Sequence, residues 1–365
     1  MDPLAHTLVG AALAETGSKR RSRYATATLI VGANLPDIDA VAMLWGSDTG
    51  LYFRRGWSHG VLGLILLPLL LAAAVSLWHR WRRDLRAGEP PFRPGVIIAL
   101  SYLAVLSHPL LDWLNTYGVR LLMPFDGRWF YGDTLFIIDP WVWLLAATGV
   151  VLARSQTASA VGGWLLLGAA TTVVILTTDL APMPVKALWL LGLAALVLLR
   201  WIKPGTALTV GIARGSFATL VIYVCAAYGL ARVAETAVAA QHPAPLEAQS
   251  NPVPGIPHAH RVVLVYEDSY RIVYCDGRSV EVPRTSPDPV VQAAMEDPSI
   301  RGFVNWMRYP YWEIAESHDG WTVTLFDLRY VDPGQPVRTI GMARVFVPRS
   351  DGSKTTDPNR GQGGS

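Results

Sequence analysis

The chain has 365 residues, 51% of them hydrophobic and only 16% charged, with fourteen tryptophans and a net charge of +3. A soluble protein of this length carries more charge, and so small a positive balance gives no reason to expect a nucleic-acid partner. Two cysteines, Cys225 in an apolar stretch and Cys275 in a polar one, leave no disulfide framework and no cysteine-based zinc motif.

In chain order, Pro3–Ala14 is apolar but short of the ~20 residues that cross a bilayer, and reads as a re-entrant or tilted helix packed in a bundle. Tyr24–Trp45 is long enough but is interrupted by Asn34-Leu-Pro-Asp37-Ile-Asp39. Ser58–Trp78, Gly95–Leu114, Leu135–Ala153, Gly162–Thr178, Val185–Trp201 and Val210–Ala231 are the further candidate spans. Basic residues cluster at Lys19–Arg23, in the loop after Trp78, at Arg154 and at Arg200. Placing those loops in the cytoplasm gives one zigzag path, with Arg54-Arg55 as the dissenting pair. The same path puts everything after Arg232 outside.

Gln241–Pro257, rich in Pro and Ala, reads as a linker. Arg261–Tyr266, Tyr270–Cys275, Trp321–Leu325 and Ala343–Val347 alternate as strands do, and Asp276-Gly277 signals a hairpin turn. Pro289–Glu296 and Ile300–Met307 are expected as short helices. The fold class is therefore mainly α, a polytopic transmembrane helical bundle with a C-terminal soluble α+β domain. The expected divisions are a helical membrane domain carrying a metal site (1–155), additional transmembrane helices (156–234), a linker (235–257), an extracytoplasmic α+β domain (258–348) and a disordered tail (349–365).

Ionisable side chains in oily sequence are expensive and are tolerated where they pair, face water or bind something. His108 and Asp112 are four residues apart and share one helix face, as a metal-gripping pair does. A buried hydrogen bond that only holds helices together is the plainer reading of that pair alone. Asn115 continues the stripe. Asp37 and Asp39 converge only if the helix breaks, and Pro36 supplies a break that Asn34 can cap. His59 starts the next helix, and His6 lies on the short first one. By the charge-derived topology most of these groups lie toward the same outer face, along with Asp133 and Asp139. Neutral imidazoles mixed with carboxylates suit zinc or manganese. Arg120 and Arg128 are expected at the headgroup level or on an anionic substrate. No Gly-x-Ser-x-Gly, His-Glu-x-x-His or Walker A pattern occurs.

Pro3-Leu-Ala-His6-Thr7-Leu-Val-Gly10, Asn34-Leu-Pro-Asp37-Ile-Asp39, Arg55-Gly-Trp-Ser-His59-Gly and Ser107-His108-Pro-Leu-Leu-Asp112 follow one another over residues 1–155. In this the chain resembles a bacterial inner-membrane family of membrane-bound metal-dependent hydrolases, some of them LexA-regulated and distantly similar to zinc-dependent phospholipase C and P1-type nucleases. The resemblance implies His6, Asp37, Asp39, His59, His108 and Asp112 as metal-site residues. In those enzymes the mature N-terminal amine is also a ligand, whereas here Met1-Asp2-Pro3 precedes the first histidine.

The resulting expectation is an inner-membrane hydrolase using one or more divalent ions, zinc first, on a phosphoester or other ester of a lipid or envelope component. Asp39 is expected to bridge two ions or act as general base. Asn34, Asn115, Asp133 and Asp139 are expected to support the ligands or contact substrate. A transporter with a broken-helix ion path predicts polar residues continuing to the cytoplasmic side, and the later helices lack them. A structural membrane protein with an outer interaction domain predicts no bound metal.

Overall fold

Asp2 and Pro3 fix the start of helix α1 (Pro3–Glu15). The Asp2 carboxylate accepts from the Leu4 and Ala5 amides, and proline in the first turn gives up no donor the helix needs. The computed structural model describes residues 1–82, 89–202, 205–333 and 341–349. The helices that follow are α2 (Ala25–Gly32), α3 (Ser47–Phe53), α4 (Val61–Arg82), α5 (Pro94–Trp113), α6 (Pro140–Arg154), α7 (Ala158–Thr177), α8 (Met183–Ile202) and α9 (Thr206–Ala240). A 3₁₀ segment, Leu35–Trp45, links α2 to α3.

α1 is buried on most of its faces, as a helix apolar all round must be, and packs on α2, α6 and α9. Two glycines set how closely its neighbours approach. A Cβ at Gly10 would lie 2.6 Å from the Leu29 carbonyl of α2, and one at Gly32 would lie 2.7 Å from the Ala104 Cβ of α5. α2 and the 3₁₀ segment meet at a bend of 43°. Pro36 accounts for the break, because it has no N–H to offer and its ring clashes with the preceding turn.

α4, α5, α7, α8 and α9 are long and apolar enough to cross a membrane, and α2 with the 3₁₀ segment forms a broken sixth candidate. Their exposed side chains include Leu66, Leu70, Leu166, Leu191 and Ile222, surface that only lipid covers at low cost. The span expected over Leu135–Ala153 is shorter than the sequence suggests. Asp139 caps a 15-residue helix that begins at Pro140, and Leu135 instead bridges to Asn115. α9 has 35 residues, roughly 50 Å at 1.5 Å each, so it outruns a bilayer core of about 30 Å.

The chain divides into two compact units, Met1–Pro283 and Arg284 onward. The first includes an antiparallel sheet of β1 (Glu247–Val253), β2 (Ile256–Val265), β3 (Ser269–Val273) and β4 (Ser279–Pro283), in that order. β1 runs through the segment expected as a linker, and Glu235–Ala240 belong to α9. The reason is local: Glu235 Oε1 accepts the Ser250 amide (3.0 Å), so the helix end holds the strand despite its Pro/Ala-rich surroundings. The expected Asp276-Gly277 turn joins β3 to β4, with Gly277 at φ 84°. The second unit has α10 (Pro289–Met295), α11 (Arg301–Trp306) and a sheet of β5 (Pro310–Ser317), β6 (Gly320–Asp327) and β7 (Met342–Pro348). This is the mainly helical membrane fold with a C-terminal α/β portion that the composition predicts. The tail expected to be disordered lies, beyond Arg349, outside the described residues.

Candidate metal centre

The break at Pro36 has a consequence for a histidine on another helix. In an unbroken helix the Ala33 carbonyl would accept from the amide four residues on. Here the Asp37 amide donates to Asn34 O instead (3.1 Å), and Ala33 O accepts from His108 Nδ1 (2.6 Å). A carbonyl only accepts, so the His108 proton sits on Nδ1 and the Nε2 lone pair points the other way. His59 is held likewise: its Nδ1 lies 3.1 Å from Asp39 Oδ2, which also accepts from Ser58 Oγ (3.0 Å) and the Arg55 amide (2.8 Å).

The two Nε2 atoms lie 3.1 Å apart. Asp112 Oδ2 is 3.2 Å from that of His59 and 3.4 Å from that of His108, and has no hydrogen-bond partner of its own. Asp37 Oδ1 stands 4.0 and 3.7 Å from the same two nitrogens. One atom each from Asp37, His59, His108 and Asp112 thus falls within 4.8 Å of the others. Two imidazole nitrogens and two carboxylate oxygens gathered this closely are the donor types a divalent cation takes. The second atoms of both rings are already hydrogen-bonded, as orienting partners of metal-ligating histidines are.

The other expected ligands surround this group. His6 stacks on His108, ring centroids 3.7 Å apart, and its Nε2 lies 3.3 Å from Asp112 Oδ1. Asp39 is on the Nδ1 side of His59, away from the four convergent atoms, where it orients the ring. Asn34 joins α2 to α1, donating to Ile30 O and accepting from Thr7 Oγ1. Asn115 accepts from Arg55 Nη2 (3.4 Å) and donates to Leu135 O. Asp133 is buried at φ 48°, and its carbonyl accepts from Ser250 Oγ of β1. Asp139 caps α6 and accepts from Tyr223 OH, 2.8 Å away. Neither Asp133 nor Asp139 is among the four convergent groups.

The residues that sequence reasoning missed are the arginines set aside as topologically discordant. Arg55 is buried at φ 52°, a conformation that costs a non-glycine residue about 1–3 kcal/mol. Its Nη2 pairs with Asp112 Oδ1 at 2.8 Å, and its Nη1 donates to Gly118 O at 3.1 Å. Arg54 pairs with Asp37 Oδ1 at 3.0 Å. The Met1 amino nitrogen also contacts Asp112 Oδ1. Next to it Asp2 caps α1 and accepts from Trp143 Nε1. Arg120 is bound to Tyr52 O and Arg54 O, and Arg128 to Asp126, whose carboxyl it holds below the usual range. A signal was available in Arg54-Arg55, a basic pair flanking Trp57-Ser58-His59 that departs from the charge-derived topology.

Residues 1–181 match the YdjM inner membrane protein family, and residues 289–336 match the YfhP C-terminal alpha/beta plait domain. A curated relative, "Uncharacterized protein YfhP" of Bacillus subtilis (strain 168), is 26% identical over 161 residues, 41% of this chain and 46% of that protein. The match thus spans less than half of the relative's length. No solved structure matches the chain. Together with the apolar helices, the match to the inner-membrane family supports a multi-pass location in the inner membrane.

Proposed function

We propose that this inner-membrane protein, YdjM-like through its first 181 residues, is a metal-dependent hydrolase of an ester, a phosphoester of a lipid or envelope component above all. The observation that carries the reading is the pair of Nε2 atoms 3.1 Å apart, each ring with an acceptor beside its Nδ1, gathered with two carboxylates. His59, His108, Asp37 and Asp112 would hold the ion, zinc being the metal that such a set suits best. A divalent metal there supplies Lewis-acid chemistry, polarising the ester oxygen and activating water. The chain's own part is orientation. Asp39 and Ala33 O hold the imidazoles, Arg55, itself bound to Asn115, holds Asp112, and α1 walls off the far side with His6. Asp37 is the most exposed of the four, so substrate reaches the site past Asp37.

The charges at α1 support an outward-facing site. Its C-terminal end meets a basic group, with Arg154 on Glu15 (2.7 Å) and Arg214 on Thr16 O (2.9 Å). Such charge belongs on the cytoplasmic side. His6 is nine residues earlier, about 13 Å away at 1.5 Å per residue, toward the other face.

One observation favours a second reading, a purely structural polar core: Arg54, Arg55 and the Met1 amine already pair with Asp37 and Asp112. Metal analysis of detergent-purified protein decides between them. The hydrolase reading expects about one zinc per chain, falling to near zero in an Asp37→Ala/His108→Ala double variant. Near-zero metal in both proteins favours the structural core. Turnover of lipid phosphoesters by the zinc-loaded protein, lost in the double variant, then tests the reaction.

A further inference from the structure

Arg54 and Arg55 are adjacent but do different things. Arg55 is 3% exposed, and its two Nη groups donate to Asp112, Gly118 O and Asn115, with its Nε buried. Arg54 is 19% exposed, beside the one ligand that surface reaches. Among the described residues its guanidinium gives one hydrogen bond, from Nη2 to Asp37, while its Nε is buried 3.9 Å from Asp39 Oδ1. A guanidinium has five N–H groups in a planar fork that matches phosphate oxygens. Arg120 braces this one from behind by donating to the Arg54 and Tyr52 carbonyls.

The surface on that side is apolar. The 3₁₀ segment repeats every three residues, so Pro36, Asp39 and Ala42 turn inward while Ile38, Val41 and Leu44 turn outward. Trp45, Phe53 and Trp57 are exposed along the same stretch of chain. In an inner-membrane protein such a face lies against lipid. The mouth of the site therefore combines one available guanidinium with an acyl-compatible rim.

We infer that Arg54 is the anion receptor of this site and that its substrate class is a membrane amphiphile carrying a phosphate oxygen next to the scissile ester, with Arg54 on the phosphate and the 3₁₀ stripe along the chains. This rests on the metal reading above. Arg54 is a specificity residue here, distinct from the ion's ligands.

The test uses the full chain loaded with Co²⁺, whose visible spectrum reports on the metal's surroundings. It is titrated with dihexanoyl phosphatidic acid, inorganic phosphate and dihexanoylglycerol. The phosphatidic acid is expected to perturb the spectrum at concentrations at least ~10-fold below phosphate, and dihexanoylglycerol not to perturb it. Arg54→Gln should raise the half-saturating phosphatidic acid concentration ~10-fold or more, the loss of a charge-assisted contact, and Arg54→Lys should restore part of it. Cobalt content should match the wild type in both variants. An unchanged half-saturation in Arg54→Gln overturns the assignment, as does loss of cobalt from that variant, which would make Arg54 part of the metal site's integrity. Phosphate as effective as the lipid overturns the amphiphile, and dihexanoylglycerol as effective as the phosphatidic acid overturns the anion. A wild-type chain that takes up no cobalt overturns the metal reading and this inference together.

Discussion

His59 is gripped from both sides of its ring by residues two positions apart: Asp39 on Nδ1 and Asp37 facing Nε2. On an α-helix two such residues point nearly opposite ways. On a 3₁₀ helix they are about 120° apart, enough to bracket a ring rather than meet on one point. The sequence shows that Pro36 breaks the helix, but not that the chain resumes as 3₁₀; Asp39 reads from it as a ligand, whereas its position at His59 Nδ1 suits the orienting role proposed here. Replacing it separates the roles. Asp39→Asn keeps the shape and loses the charge on Nδ1, so zinc affinity should fall ~10–100-fold by chelator competition. A complete loss of binding would make Asp39 a ligand, and no change would deny it any part. The histidines and Asp112 were legible because ionisable groups in apolar sequence need a reason to be there. Arg55 was not legible, because its partner Asp112 is 57 residues away and a charge beside a loop looks solvated.

Among the elements, those with strong periodicity could be read in advance and those set by tertiary contacts could not. α4, α5, α7 and α8 follow from runs of about 20 apolar residues, and β2, β3, β6 and β7 from alternation. α6 is cut short because Asp139 accepts the Trp141 and Val142 amides as its cap, a local preference that outweighs the hydrophobicity of Leu135–Ile138. β1 is invisible to composition. Its Ser250 is tied to Glu235 of α9 and to the Asp133 carbonyl, partners far off in sequence. The same contacts link the sheet to the site's surroundings, since Thr134 and Leu135 donate to Leu114 O and Leu135 O accepts from Asn115.

For the whole molecule, the account requires that the site and the sheet beyond α9 face away from the cytoplasm. The basic group at the C-terminal end of α1 argues for this side, and the two native cysteines allow a test without engineering. Cys275 follows β3 and is exposed, whereas Cys225 lies within the apolar α9. In intact spheroplasts a membrane-impermeant maleimide should label Cys275. Labelling only after the membrane is opened would place the sheet in the cytoplasm and reverse the proposed orientation. Neither matched family description names an activity, so the hydrolase reading rests on the chemistry of one polar pocket.

That pocket's occupancy is measured most directly by X-ray absorption at the zinc edge on tag-free, zinc-loaded protein. The account predicts a shell of two imidazole nitrogens with carboxylate oxygens at ~2.0–2.2 Å, with the imidazole signature lost in a His59→Ala/His108→Ala variant. A protein that retains no zinc, or a zinc shell without imidazole, would contradict it.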